Sequence, residues 1–140
     1  MIKKLLNPFQ NKSFNDVLLL FLRVAVGLLL LSHGYPKLLK LISGQPISFA
    51  SIMGMGPTLS LALAMFAEFF CALFVMFGLL TRFAAIPIVF TFLVIVTLVH
   101  GADPLPQREL PYLYLIVYVI ILFSGPGKYS LDYLLFRKRK

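Results

Sequence analysis

The sequence predicts an all-α integral membrane protein, an antiparallel four-helix bundle with a short interfacial segment between helices 1 and 2 and a basic amphipathic C-terminal helix. Three observations lead there. Of 140 residues, 60% are hydrophobic and 13% charged, and the mean hydropathy is +0.94, too apolar a balance for a soluble domain. The apolar residues gather into four runs, about 17–35, 58–80, 83–100 and 110–123, separated by short breaks. The chain is long enough for one compact bundle and no more, so residues 1–140 read as a single membrane domain.

Charge and cysteine content narrow the function classes. The formal net charge is +8, but the basic residues sit at the chain ends and loops with no soluble domain to present them. Membrane lipids are therefore the expected counter-charge, and no nucleic-acid partner is expected. The single cysteine, Cys71, lies in an apolar run and reads as a small buried hydrophobe. An intramolecular disulfide or a CxxC centre is excluded.

Residues 1–16 (MIKKLLNPFQNKSFND) are mixed and basic, with too short an apolar part before Pro8 to form a cleavable leader. Ser13 or Asn15 is the expected cap of the first helix, with Asp16 in its first turn. Within the first run, over 17–35, Arg23, Gly27, Leu30, Gly34 and Lys37 fall in a stripe of roughly 80° on a helix, with His33 at its edge. Glycines on that stripe let a second helix approach closely, so Arg23 is presented to the bundle interior.

Ser43 to Pro57 (SGQPISFASIMGMGP) combines the glycines and prolines of a connection with apolar Ile47, Phe49, Ile52 and Met53. A short interfacial helix or re-entrant turn, covering one mouth of the bundle, is expected. The second run, over 58–80, is roughly 34 Å long at 1.5 Å per residue, enough for a hydrocarbon core of about 30 Å. Its only charge is Glu68, near the centre, on a face shared with Ala64, Cys71 and Ala72. A carboxylate in apolar surroundings must pair with a cation or take up a proton. Arg23, counted from the same membrane face, lies within reach through two long side chains and is the expected partner.

Thr81 and Arg82 form a tight turn before the third run, over 83–100, which Pro87 bends without ending. Residues 101–110 (GADPLPQREL) make a polar, proline-rich connection that carries Asp103, Arg108 and Glu109. The fourth run, over 110–123, holds Tyr112, Tyr114 and Tyr118 and stops at Gly125-Pro126-Gly127. Residues 128–140 form the amphipathic helix, capped by Ser130 and closing in Arg137-Lys138-Arg139-Lys140.

Nine Lys and Arg residues (Lys3, Lys4, Lys12, Arg82, Lys128 and residues 137–140) fall on one side and three (Lys37, Lys40, Arg108) on the other. This excess places both termini in the cytoplasm. His33, Lys37, His100, Asp103, Glu109 and Tyr112 then form a polar cluster at the outer face, the candidate ligand pocket. Two histidines so far apart in sequence, without a third fixed ligand, give no metal site. Hydrogen bonds to Asp103 or Glu109, or anchoring at the interface, are the plainer roles for them, as snorkelling is for Lys37. Likewise Arg23 with Glu68 reads equally as a pair that fixes helix register and as a proton or anion site.

Taken in order, Arg23 through Gly27 to His33-Gly34 and Lys37, Met53 to Pro57 (MGMGP), Glu68, Gly78-Leu79-Leu80-Thr81-Arg82, and Gly125-Pro126-Gly127-Lys128-Tyr129-Ser130-Leu131-Asp132 resemble the DoxX family of small bacterial four-helix membrane proteins. The resemblance covers nearly the whole chain. It implies a four-span bundle in the bacterial cytoplasmic membrane. Relatives include small subunits of a thiosulfate:quinone oxidoreductase and partners of membrane redox complexes, while many members have no assigned activity. Without paired cysteines, this chain departs from related dithiol-redox membrane proteins, which counts against thiol exchange.

Two function classes are compatible with these residues. In one, the protein is an auxiliary or quinone-associated subunit of a membrane oxidoreductase, with a quinone head near the outer face beside His33 or His100. In the other, it is a non-catalytic scaffold, an assembly partner or a small-solute conduit built around Arg23 and Glu68; a homo-oligomer is open in either. The chain carries no nucleotide, flavin or haem-attachment motif, so electron transfer would be completed by a partner or by a diffusible quinone.

Overall fold

A computed structural model describes residues 12–137. Residues 1–11 of the basic stretch expected over 1–16 and the last three cations, Lys138, Arg139 and Lys140, lie outside the described residues. Every regular element among the described residues is helical. Four are long and apolar enough to cross a membrane: α1 (Lys12–Ile42), α2 (Pro57–Phe77), α3 (Thr81–Val99) and α4 (Leu105–Ser124). A short α5 (Leu131–Phe136) comes last.

The first helix is much longer than the apolar run that announces it. Ser13 and Asn15 lie within it rather than capping it, and it continues through Pro36 to Ile42. A proline in a helix removes one hydrogen bond and crowds the turn before it, but does not by itself end a helix embedded among others. Its buried residues are Arg23, Gly27, Leu30 and Gly34, the expected stripe. The consequence of its length is that Lys37 stays on the same helical face, one turn beyond Gly34.

Both α2 and α3 change pitch along their length. In α2 the turn Phe66–Cys71 is π-helical, and α3 ends in a second π-helical stretch, Ile95–Val99. A π turn inserts an extra residue and rotates the rest of the helix by about 100°, and such turns concentrate at functional sites. Pro87 is carried inside α3 as expected. By contrast, α4 starts at Leu105, five residues before the fourth apolar run, because prolines in a first turn cost no hydrogen bond.

Of the two forms expected between α1 and α2, an interfacial helix or a re-entrant turn, the helix is absent. Residues 43–56 are irregular, and hydroxyls supply part of the bonding that a helix would have given. Ser51 Oγ accepts from Gly56 N (3.0 Å) and Ser60 Oγ from Ile52 N (3.0 Å), while Lys40 Nζ donates to Ser48 O (2.5 Å). Gly44, Gly54 and Gly56 all have positive φ, which breaks any helix here.

One end of the molecule is tied together by the segment after α4. Asp132 accepts from Leu80 N (2.6 Å), Thr81 N (2.9 Å) and Thr81 Oγ1 (2.9 Å), and so caps α3 from a distance of about fifty residues in sequence. Asp132 N donates to Gly78 O at 2.8 Å. Asp16 of α1 accepts from Lys128 N at 3.1 Å, and Arg82 donates to Phe123 O at 3.3 Å. Ser130 caps α5 as expected, accepting from Tyr133 N. The core between the helices is built from Leu30, Ala67, Ala72, Val75, Ala85 and Ile88 against Tyr118 and Ile121; its small residues permit close helix approach. Large apolar side chains such as Phe21, Phe83, Phe90 and Phe123 point outward, more than half exposed.

Candidate functional site

Glu68 sits in the π-helical turn of α2 with only 2% of its side chain exposed. Gly34 of α1 packs on the main chain beside it, close enough that a Cβ there would lie 2.5 Å from Glu68 O. That contact sets the register between α1 and α2. One turn further along α1, Lys37 Nζ donates to Glu68 Oε2 as an ion pair. Lys37 is therefore folded inward onto Glu68 rather than extended to a surface, its side chain 24% exposed.

This pairing corrects the expectation that Arg23 neutralises Glu68. Arg23 is fully buried, but at the other end of α1, where its Nη2 donates to Tyr129 O at 2.5 Å. The helix between Arg23 and Lys37 is roughly 21 Å long at 1.5 Å per residue, beyond the span of two side chains. Arg23 thus belongs to the tied end with Gly78 and Tyr129. Within that end, a Cβ on Gly78 would collide with the Arg23 guanidinium and lie 2.5 Å from Ser130 Cβ, at a backbone φ of +71°.

Two cavities meet at the Lys37–Glu68 pair. The larger, about 450 Å³, lies between α2 and α3 under the irregular segment, which contributes Phe49, Ile52 and Met53 to its wall. The segment covers a mouth of the helix cluster as expected, though not as a helix. Leu63, Phe66 and Phe90 line this cavity and are themselves 47%, 47% and 59% exposed on the outer helix surface. Its wall is almost wholly apolar, Lys37, Glu68, His100, Ser60 and Thr91 being its polar-bearing residues. The smaller cavity, about 140 Å³, is bounded by His33, Lys37, Glu68, Phe92, Ile95, Leu110, Pro111 and Tyr114. Ile95, the first residue of the second π-helical stretch, borders both.

The remaining outer-cluster candidates divide. His33 packs edge-on to Tyr114, ring centroids 6.0 Å apart, and Tyr114 stacks on Phe92 at 5.0 Å. His100 Nδ1 lies 2.6 Å from Asp103 Oδ2, and its carbonyl accepts from Arg108 Nε at 2.5 Å. With Nδ1 engaged by a carboxylate, Nε2 is the ring nitrogen free to meet a ligand in the larger cavity. Glu109 is exposed, Tyr112 partly buried, and neither borders either of these two cavities. Of the three tyrosines, Tyr114 is the one at the site. Its place one helical turn from fully buried Tyr118 is the sequence signal that marks it. Among the described residues no group of three or more His, Cys, Asp or Glu gathers to hold a metal ion.

The arrangement is chemically specific. The buried Glu68 carboxylate and the partly buried Lys37 ammonium neutralise each other, leaving the larger cavity without net charge to compensate an ionic guest. Lys37 retains N–H donors beyond the one given to Glu68. The site therefore suits an uncharged, mostly apolar molecule with a hydrogen-bond-accepting group at one end.

Among families of known proteins, the model described as DoxX matches residues 18–101, from near the start of α1 to just past α3. No curated protein and no solved structure matches the sequence.

Proposed function

This chain belongs to the DoxX family, and we propose that it is an auxiliary, quinone-associated subunit of a membrane oxidoreductase system. The family and the four long apolar helices mark it as a multi-pass membrane protein. In our reading the four helices cross the bacterial cytoplasmic membrane as an antiparallel bundle, with the end tied by Asp132 on the cytoplasmic side, where the Lys and Arg excess falls. Lipids surround it, and partner subunits of a redox complex complete the electron path.

The observation that carries the reading is the uncharged apolar cavity whose exposed rim, Leu63, Phe66 and Phe90, faces the surrounding acyl chains while Lys37 and Glu68 close its inner end. A quinone ring offers carbonyl acceptors to Lys37 Nζ, and its isoprenoid chain leaves through the rim. When bound, a quinone supplies two-electron, two-proton redox chemistry, and this chain's own residues bind it, exclude water and hold a proton. His100, oriented by Asp103, and Glu68 are the groups placed to hold it. The alternative of a solute conduit built on Arg23 and Glu68 loses its premise, since the two residues do not meet.

Organic extraction and mass spectrometry of protein purified in mild detergent test this reading. A stoichiometric quinone in the native protein, lost in Lys37→Met and in Glu68→Gln variants that remain folded, is the expected result. Phospholipid alone would reject the reading and favour a scaffold.

A further inference from the structure

The smaller cavity, about a third the volume of the larger, ends on the same ion pair, and its lining includes more polar-bearing residues for its size. We propose that it is a water-filled proton route that joins Lys37 and Glu68 to the aqueous phase at the membrane face where α1 ends and α4 begins. The pair then has two separate entrances, one from the bilayer for an apolar ligand and one from water for protons.

Size is the first argument. A volume of about 140 Å³, roughly a third of the larger cavity's, gives room for a handful of waters at about 30 Å³ each in the liquid. Chemistry is the second. Waters stay in a buried cavity only when two to four polar partners hold them. His33 and Lys37 from α1, Glu68 from α2 and the Tyr114 hydroxyl from α4 provide these, while α3 contributes only Phe92 and Ile95. His33, Lys37 and Tyr114, with His100 across in the larger cavity, are the titratable groups that line the cavities around Glu68. Placement is the third argument. His33 and Leu110, two of the residues that line the lobe, are exposed, and Pro111 beside Leu110 has no N–H to compete for its waters.

A proton held on the Glu68 carboxyl passes to a lobe water as the O–H bond breaks, and the carboxylate left behind is held by the Lys37 ammonium. The reverse transfer reloads it. Nothing in this step depends on which molecule fills the larger cavity, so the route and the quinone reading fail separately.

Ile95 reports on both entrances because it borders both cavities. In a Cys71→Ala background, the full chain carrying Ile95→Cys is placed in lipid nanodiscs with both faces open to buffer. It is treated either with a charged methanethiosulfonate confined to water or with an alkyl-chain maleimide confined to the bilayer. Thiol reaction depends on access, and labelling after SDS denaturation confirms a competent thiol. Reaction with both reagents is expected. Adding Leu110→Trp at the lobe's rim is expected to slow the charged reagent by an order of magnitude or more and leave the maleimide unaffected. Reaction with the maleimide alone, or with neither reagent, overturns the water entrance; reaction with the charged reagent alone upholds it and removes the bilayer entrance instead. Should Ile95→Cys not fold, Pro111→Cys lines the small lobe alone and Val94→Cys the large cavity alone. A Pro111→Cys thiol closed to the charged reagent overturns the proposal equally.

Discussion

Gly34 lies against the peptide group of Glu68, with room for a hydrogen where any other residue would place a carbon 2.5 Å from the carbonyl oxygen and 2.6 Å from its carbon. The ion pair one turn away depends on this contact, because the backbone approach brings Lys37 over Glu68.

Replacing Gly34 with alanine should therefore be costly although alanine is the better helix former. The clash is with backbone, which cannot rotate aside, and overpacking of this kind costs about 1–3 kcal/mol. Gly44→Ala, where nothing lies within 4 Å and only the φ of +68° resists a side chain, should cost about 1–2 kcal/mol. Unfolding in mild detergent measures both. An additional loss of bound quinone in Gly34→Ala alone is expected, since only that contact positions the ion pair.

The partner of Glu68 is testable by double-mutant cycles. Lys37→Met and Glu68→Gln should couple by about 1–3 kcal/mol, because the first change alone strands a buried carboxylate and the second a partly buried ammonium. Arg23→Met and Glu68→Gln, on α1 and α2 and without a shared partner, should add to within about 0.5 kcal/mol. The opposite pattern in the two cycles would restore Arg23 as the counter-ion.

Asp132 serves α3 from outside it, and its loss should be felt there. Asp132→Ala strands two backbone donors and the Thr81 hydroxyl, a loss of about 2–3 kcal/mol. Asp132→Asn keeps one acceptor oxygen but puts an NH2 where the other accepts, and should cost about 1–2 kcal/mol, for that lost bond and the charge at a helix N-terminus together. Hydrogen exchange should show the first turn of α3 opening in Asp132→Ala. Equal protection of that turn in native and variant protein would mean that the cap is not needed.

Gly78 combines both constraints that a glycine can answer. Its φ is +71°, and a Cβ would run into the Arg23 guanidinium and Ser130. Gly78→Ala should thus cost about 2–5 kcal/mol, the strain and the clash together. Gly54→Ala, with a φ of +74° and open space around it, should cost only about 1–2 kcal/mol. Pairing Gly78→Ala with Arg23→Met, which removes the branched head, is expected to recover part of the loss, and a double variant no better than Gly78→Ala would place the whole cost in the backbone.

Much of this molecule is written locally. The buried stripe of α1 through Arg23, Gly27, Leu30 and Gly34 follows from helical periodicity, and the stop at Gly125 and the cap at Ser130 follow from residue chemistry. Prolines are ambiguous local signals at two places. Pro36 marks an end for α1 and the prolines of 101–110 mark a late start for α4, whereas Pro36 and Pro106 are absorbed into helix and Pro104 stands at the N-cap of α4. The π turn at Phe66–Cys71 has no comparable signal, and the rotation it introduces alters which face of α2 meets α1 and which meets α3. The pairing of His100 with Asp103 is legible in sequence, the two being three residues apart. Tyr112 belongs to the outer cluster by position along the chain, yet only Tyr114 shares the inward face with Tyr118.

The sequence alone determined the four apolar helices, the inward face of the first and the presence of a lone acid in the second, because hydropathy, periodicity and capping act within a few residues. Tertiary structure decided that Glu68 meets Lys37, 31 residues away, that Arg23 instead meets Tyr129, 106 residues away, and that two cavities share one ion pair. Those contacts depend on how long α1 runs past Pro36 and how far a π turn rotates α2, quantities fixed only when the helices pack against one another.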